Sequence, residues 1–97
     1  PLPPPPSVTE QKEAILEHFR LAEIAYSSKR AVRQMRKFGM RYADWHPDAD
    51  EVRAAFIRVG DARTWSSVIK DWYASDRPGI YPIHPGMPKS PTSDVIA

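Results

Sequence analysis

Lys29, Arg30, Arg33, Arg36, Lys37 and Arg41 crowd into the stretch KRAVRQMRKFGMRY, and no Asp or Glu stands between Glu23 and Asp44. The formal charge of the whole chain is only +2, so the cationic excess is local. Guanidinium and ammonium groups with no carboxylate beside them are chemistry for an anion. At a helical advance of about 100° per residue, Arg30, Arg33, Lys37 and Arg41 share one narrow arc, with Lys29 and Arg36 on its flank. Val32, Met35, Gly39 and Tyr42 fall on roughly the opposite side, so the cations face outward. Like charges at i and i+4, Arg33 with Lys37 and Lys37 with Arg41, cost roughly 0.2–0.5 kcal/mol each, and cations in a first turn oppose the helix dipole. A solvated helix surface is the plainer alternative. Stability alone would have mixed the signs, however, and an anion-binding face is the expectation.

Other chemistry is sparse. The sequence has no Cys, which removes disulfides, thiolate metal sites and Cys nucleophiles from this chain. His18, His46 and His84 are widely spaced, and there is no Gly-rich phosphate loop, no H-E-x-x-H and no G-x-S-x-G. His18 lies beside an apolar face with no second His at i+4, the setting of a hydrogen-bonded residue more than of a metal ligand. Asp48, Asp50 and Glu51 sit where helix starts collect acid and read as structural. No active site and no metal or cofactor site is expected in this chain alone.

The elements that position the basic stretch follow from local signals. PLPPPP cannot be helical and reads as a stiff linker over residues 1–6. Ser7 and Glu10 have capping-box spacing and open a first helix running to about Tyr26 or Ser27. Ile15, Phe19, Ala22 and Tyr26 give it a core stripe, widened by Leu16, Leu21 and Ala25, with Glu10, Glu13 and Glu17 outward. Ser27 or Ser28 caps the basic helix, which ends near Ala43 or Asp44, and Gly39 within it predicts close packing of another helix. A third helix starts near Pro47, turns Val52, Ala55, Phe56 and Val59 inward and closes at Gly60. Asp61 and Thr64 cap a fourth from Ala62 to about Ala74, with Trp65, Val68, Ile69 and Trp72 inward and Tyr73 partly exposed.

After Ser75, residues 76–97 form a Pro-rich tail without a helix, either loose or pinned in extended form by Ile80, Tyr81 and Ile83. The 97-residue chain is one small domain, with 41% hydrophobic residues and three Trp to build its core. The fold class is all-α: a small antiparallel bundle of four helices over residues 7–75, with Pro-rich extended termini. No apolar run reaches the length of a membrane span. The expected setting is a soluble, cytoplasmic monomer, and a start at Pro1 instead of Met suggests a piece of a longer protein.

From His18 to Arg53 the chain resembles the C-terminal helical domain of bacterial-type tRNA-dihydrouridine synthases. That family has a His early in its first helix, a segment R-K-H-x-x-W-Y, a Pro and a downstream Arg. Here His18, Arg36, Lys37, Tyr42, Pro47 and Arg53 stand at matching intervals without a gap. The resemblance covers most of residues 3 to 74, and the Pro-rich start resembles the connector leaving the family's catalytic barrel. Phe38, Arg41 and Trp45 depart from the pattern, which has His, an aromatic residue and often Gly at those places. The resemblance implies a tRNA-binding accessory domain of a flavoenzyme that reduces uridine in tRNA. FMN and NAD(P)H, and the Cys that donates the proton, would belong to a covalently linked barrel. Arg33, Arg36, Lys37 and Arg41 would then meet tRNA phosphates, with Arg30 and Arg53 at the edges. Two other readings keep the basic helix but change its partner. One is a helical protein-interaction adaptor docked on an acidic protein, the other a DNA-binding helical protein.

Overall fold

The computed structural model describes residues 2–82. Among them are four helices and no strand: α1 Val8–Ala25, α2 Ser28–Ala43, α3 Ala49–Ile57 and α4 Ala62–Trp72. The local start signals operate as the residues dictate. Ser7 Oγ accepts the Glu10 N–H while Glu10 Oε1 accepts that of Ser7, at 3.2 and 2.9 Å. Ser27 Oγ accepts the Arg30 N–H, and Asp61 with Thr64 closes a second reciprocal box. Asp48 precedes α3 without a side-chain cap; its carboxylate is engaged by Arg77 instead, at 2.6 Å.

Burial organises the helices around α2, which packs against α1, α3 and α4. Its inward residues Ala31, Val32, Met35, Gly39 and Ala43 are buried. Phe56 of α3 lies against Gly39 so closely that an added Cβ would stand 2.5 Å from its ring, the close approach that only glycine permits. Phe56 in turn touches the rings of Trp65 and Tyr73, with centroids 5.4 and 6.4 Å away, and Trp65 meets Phe19 of α1 at 5.0 Å.

Three expectations are corrected. Leu16, Leu21, Ala25 and Tyr26 do not widen the core; all four are exposed, and the inward side of α1 is Val8, Gln11, Ile15 and Ala22. Tyr73 is only 1% exposed, while Trp72 is half-buried. The helix ends there: Tyr73 is the C-cap with φ −119° and ψ 21°, which swings its ring inward. Gly60 does not close α3, whose C-cap is Arg58; the Gly60 N–H instead donates to Thr64 Oγ1 at the start of α4.

The beginning of the tail is pinned. Arg77 O accepts the Val8 N–H at 2.8 Å, Asp76 accepts that of Thr9 at 3.0 Å, and the Ile80 N–H donates to Trp45 O at 2.9 Å. Gln11 Nε2 donates to both Pro6 O and Trp45 O at 2.9 Å, tying the N-terminal segment to the α2–α3 turn. Within that turn His46 is fully buried. Its Nδ1 accepts the Asp48 N–H at 2.9 Å, so Nε2 carries the proton donated to Trp72 O at 2.7 Å. Ile83, His84 and Pro85, Pro88 and Pro91 lie outside the described residues. No described helix is long and apolar enough to cross a membrane.

Candidate nucleic-acid interface

The packing of α2 decides what its other side can do. With Val32, Met35 and Gly39 turned inward, Lys29, Arg30, Arg33, Arg36, Lys37 and Arg41 are all exposed. Among the described residues none of these six forms an ion pair, whereas Arg20, Arg53 and Arg77 each do. Two of the six are steadied by aromatic faces: Arg30 lies 5.2 Å over the Tyr26 ring and Arg41 5.8 Å over that of Phe38. Such contacts orient a guanidinium and leave its N–H donors free.

Lys29, Arg33 and Arg36 turn toward the junction of α3 and α4, where a cleft of about 460 Å³ opens against Val59, Gly60 and Asp61. Asp61 is the acid of this cleft. Hydrogen bonds from the Thr64 backbone N–H and hydroxyl hold its carboxyl below the ordinary carboxylate range, so it is charged at neutral pH. The cleft therefore runs from three cations on one wall to one carboxylate on the other. Arg53 stands apart from the stripe. It is on α3 and paired with Asp44, the C-cap of α2, and with Asp50 at 3.6 Å, so its charge is answered within the fold.

The opposite flank of the stripe is aromatic. Phe38, Arg41, Tyr42 and Trp45 line an open depression of about 150 Å³ at the C-terminal end of α2. His18 of α1 backs it: Nδ1 is 3.1 Å from the Tyr42 hydroxyl, and its ring lies 4.6 Å from that of Phe38. Burial pushes the Tyr42 hydroxyl above the ordinary tyrosine range, so it is neutral under all mild conditions. The sequence carried a signal for this flank, since 38, 41, 42 and 45 are i, i+3, i+4 and i+7 positions of one helical face. Tyr73, expected to be partly exposed, is buried and takes no part.

No cluster of three or more potential metal ligands occurs among the described residues. Compared with known proteins, the chain matches no family model, and no curated protein or solved structure matches it significantly.

Proposed function

We infer that this chain is a tRNA-binding accessory domain, an antiparallel helical bundle whose α2 grips the phosphate backbone of a folded tRNA. The reading extends to a dihydrouridine synthase in which the Pro-rich N-terminal segment connects the bundle to a flavin barrel. The barrel, with FMN and NAD(P)H, would reduce the uridine. One observation carries the RNA reading: six cations on one helix face have no carboxylate partner among the described residues. A folded polyanion supplies the missing charges over the length of that face, and phosphate contacts of this kind set position and orientation more than sequence. The series His18, Arg36, Lys37, Tyr42, Pro47 and Arg53 supports the narrower family assignment.

Titration of tRNA into the chain at low and moderate salt tests the reading. Binding should weaken steeply as salt rises, and changing Arg33, Lys37 and Arg41 together to Glu should abolish it. Unchanged affinity in the triple variant would remove α2 as the RNA face. Retention of an acidic protein, in place of tRNA, in nuclease-treated pull-downs would favour the adaptor reading, and preference for duplex DNA in competition would favour the DNA-binding one.

A further inference from the structure

Beside the phosphate-gripping stripe lies a site of a different chemistry. Arg41 belongs to the cationic arc and also to the rim of the aromatic depression formed with Phe38, Tyr42 and Trp45. Three aromatic side chains, each half-buried, thus adjoin one exposed guanidinium. Phe38 and Tyr42 rest on the core from outside it, and part of each of the three rings stays accessible.

The position of Trp45 is built by one local contact and two remote in sequence. Its N–H donates to Tyr42 O at 3.0 Å, and its carbonyl accepts both from Gln11 Nε2 and from the Ile80 N–H, each at 2.9 Å. Its ring is braced by Tyr81 at 5.9 Å between centroids. On the other side Phe38 is held between His18 and the Arg41 guanidinium. A shelf whose backbone is tied at both donor and acceptor needs little ordering when a ligand arrives.

We propose that this depression receives an unpaired nucleobase of the bound RNA, stacked beside Trp45 and against the outer face of the Arg41 guanidinium that Phe38 holds in place. The proposal rests on the RNA reading of α2 and adds to it. A planar aromatic ring of any base finds a π-face there, a cation to stack on it, and cations along the same helix for the adjoining phosphates. Paired bases cannot enter, because their faces are covered within the duplex. The site therefore selects single-stranded or looped segments, while the stripe itself accepts any phosphate backbone.

The experiment compares two probes, a single-stranded oligouridylate and a blunt RNA duplex of equal phosphate number, each titrated into the full chain at low salt. The oligouridylate is expected to quench the fluorescence of Trp45, a signal assigned by its loss in Trp45→Phe. Arg41→Lys, an exposed change that keeps the charge and removes the planar group, is expected to weaken oligouridylate binding several-fold more than duplex binding. Trp45→Leu is expected to cost about tenfold for the oligouridylate alone, with Trp45→Phe restoring most of it. Equal losses on both probes, or no quenching and no loss with salt-dependent binding still present, overturn the stacking site and leave the phosphate reading standing. Absence of salt-dependent binding to either probe in the unaltered chain overturns the phosphate reading and the stacking site with it.

Discussion

The two sides of α2 are made under opposite rules. On the inner side every side chain is accounted for by its neighbours, to the point that position 39 has no room for a Cβ beneath Phe56. On the outer side Arg33, Lys37 and Arg41 repeat like charge at i, i+4 spacing, and among the described residues none of them forms an ion pair. Cations that serve the fold are handled differently. Arg53 meets Asp44 and Asp50, and Arg77, beyond α4, meets Asp48 in the α2–α3 turn. Like charges repeated where they weaken the helix set α2 apart from Arg20, Arg53 and Arg77, and on the proposed reading a bound polyanion offsets them.

If this contrast is correct, damage to the inner side should unfold the chain without selectively weakening its grip on RNA. Phe56→Ala removes a fully buried ring that contacts Gly39, Trp65 and Tyr73, and should cost about 3–5 kcal/mol. Denaturant unfolding reads the loss, and the fraction that remains folded should bind tRNA like the parent. A loss of less than about 1 kcal/mol would mean that the α2–α3 contact is not the centre of the core.

Gly39→Ala is a finer probe of the same contact. Alanine is favoured over glycine within a helix by about 1 kcal/mol, so an open site would become more stable. Here the new methyl meets ring atoms at 2.5–2.8 Å, and the ring is enclosed. Overpacking of this kind costs typically 1–3 kcal/mol, and the expected balance is a net destabilisation of about 1 kcal/mol. A rise in melting temperature would show that Phe56 has space to move.

How much of this was legible in advance depended on range. The caps at Ser7, Ser27 and Asp61 are bonds between residues three apart, reciprocal at Ser7 and Asp61, and the residues alone specify them. The outward stripe and the glycine contact likewise follow from the helical period, because α2 is covered along one side only. Leu16 and Leu21 misled because periodicity ranks residues around a helix and does not say how wide a strip the neighbours cover. Gln11 was missed for the reverse reason: its burial at 3% exposure depends on carbonyls of Pro6 and Trp45, the latter far away in the chain. Tyr73 exchanged places with Trp72 through one non-helical residue at the end of α4. The aromatic flank was present in the spacing of Phe38, Tyr42 and Trp45, but spacing alone does not separate a half-exposed ring from a core one.

Acid should separate paired from unpaired cations. The hydrogen bond and charge of Arg77 hold the Asp48 carboxyl below its ordinary range, and bonds from the Thr9 backbone and from Ser7 and Thr9 side chains do the same for Asp76. A carboxyl depressed in the folded state contributes stability that is whole above its unfolded pKa of about 4 and is lost as pH falls through the folded value. Melting temperature should therefore hold steady from neutral pH to about 5 and decline below about 4. Asp48→Asn should flatten part of that decline and lower stability slightly at neutral pH. Arg33→Gln should leave the shape of the curve as it was, since no carboxylate among the described residues depends on it. An equal flattening by Arg33→Gln would erase the distinction between the two kinds of cation.

The smallest effect is the most telling in sign. Lys37 stands between Arg33 and Arg41 and takes part in both i, i+4 repulsions. Lys37→Gln keeps nearly the same helix propensity and removes both, so the chain should gain a few tenths of a kcal/mol, a rise in melting temperature of roughly 2–4 °C at low salt. Added salt screens the repulsion in the parent, and the advantage of the variant should shrink accordingly. The same substitution should reduce affinity for tRNA and lower the slope of its salt dependence by about one phosphate contact. Arg77→Gln should do the reverse, lowering stability while tRNA affinity holds. A stability loss in Lys37→Gln would show that the outer face is held by interactions within the chain, and the contrast between the two sides of α2 would no longer point to a partner.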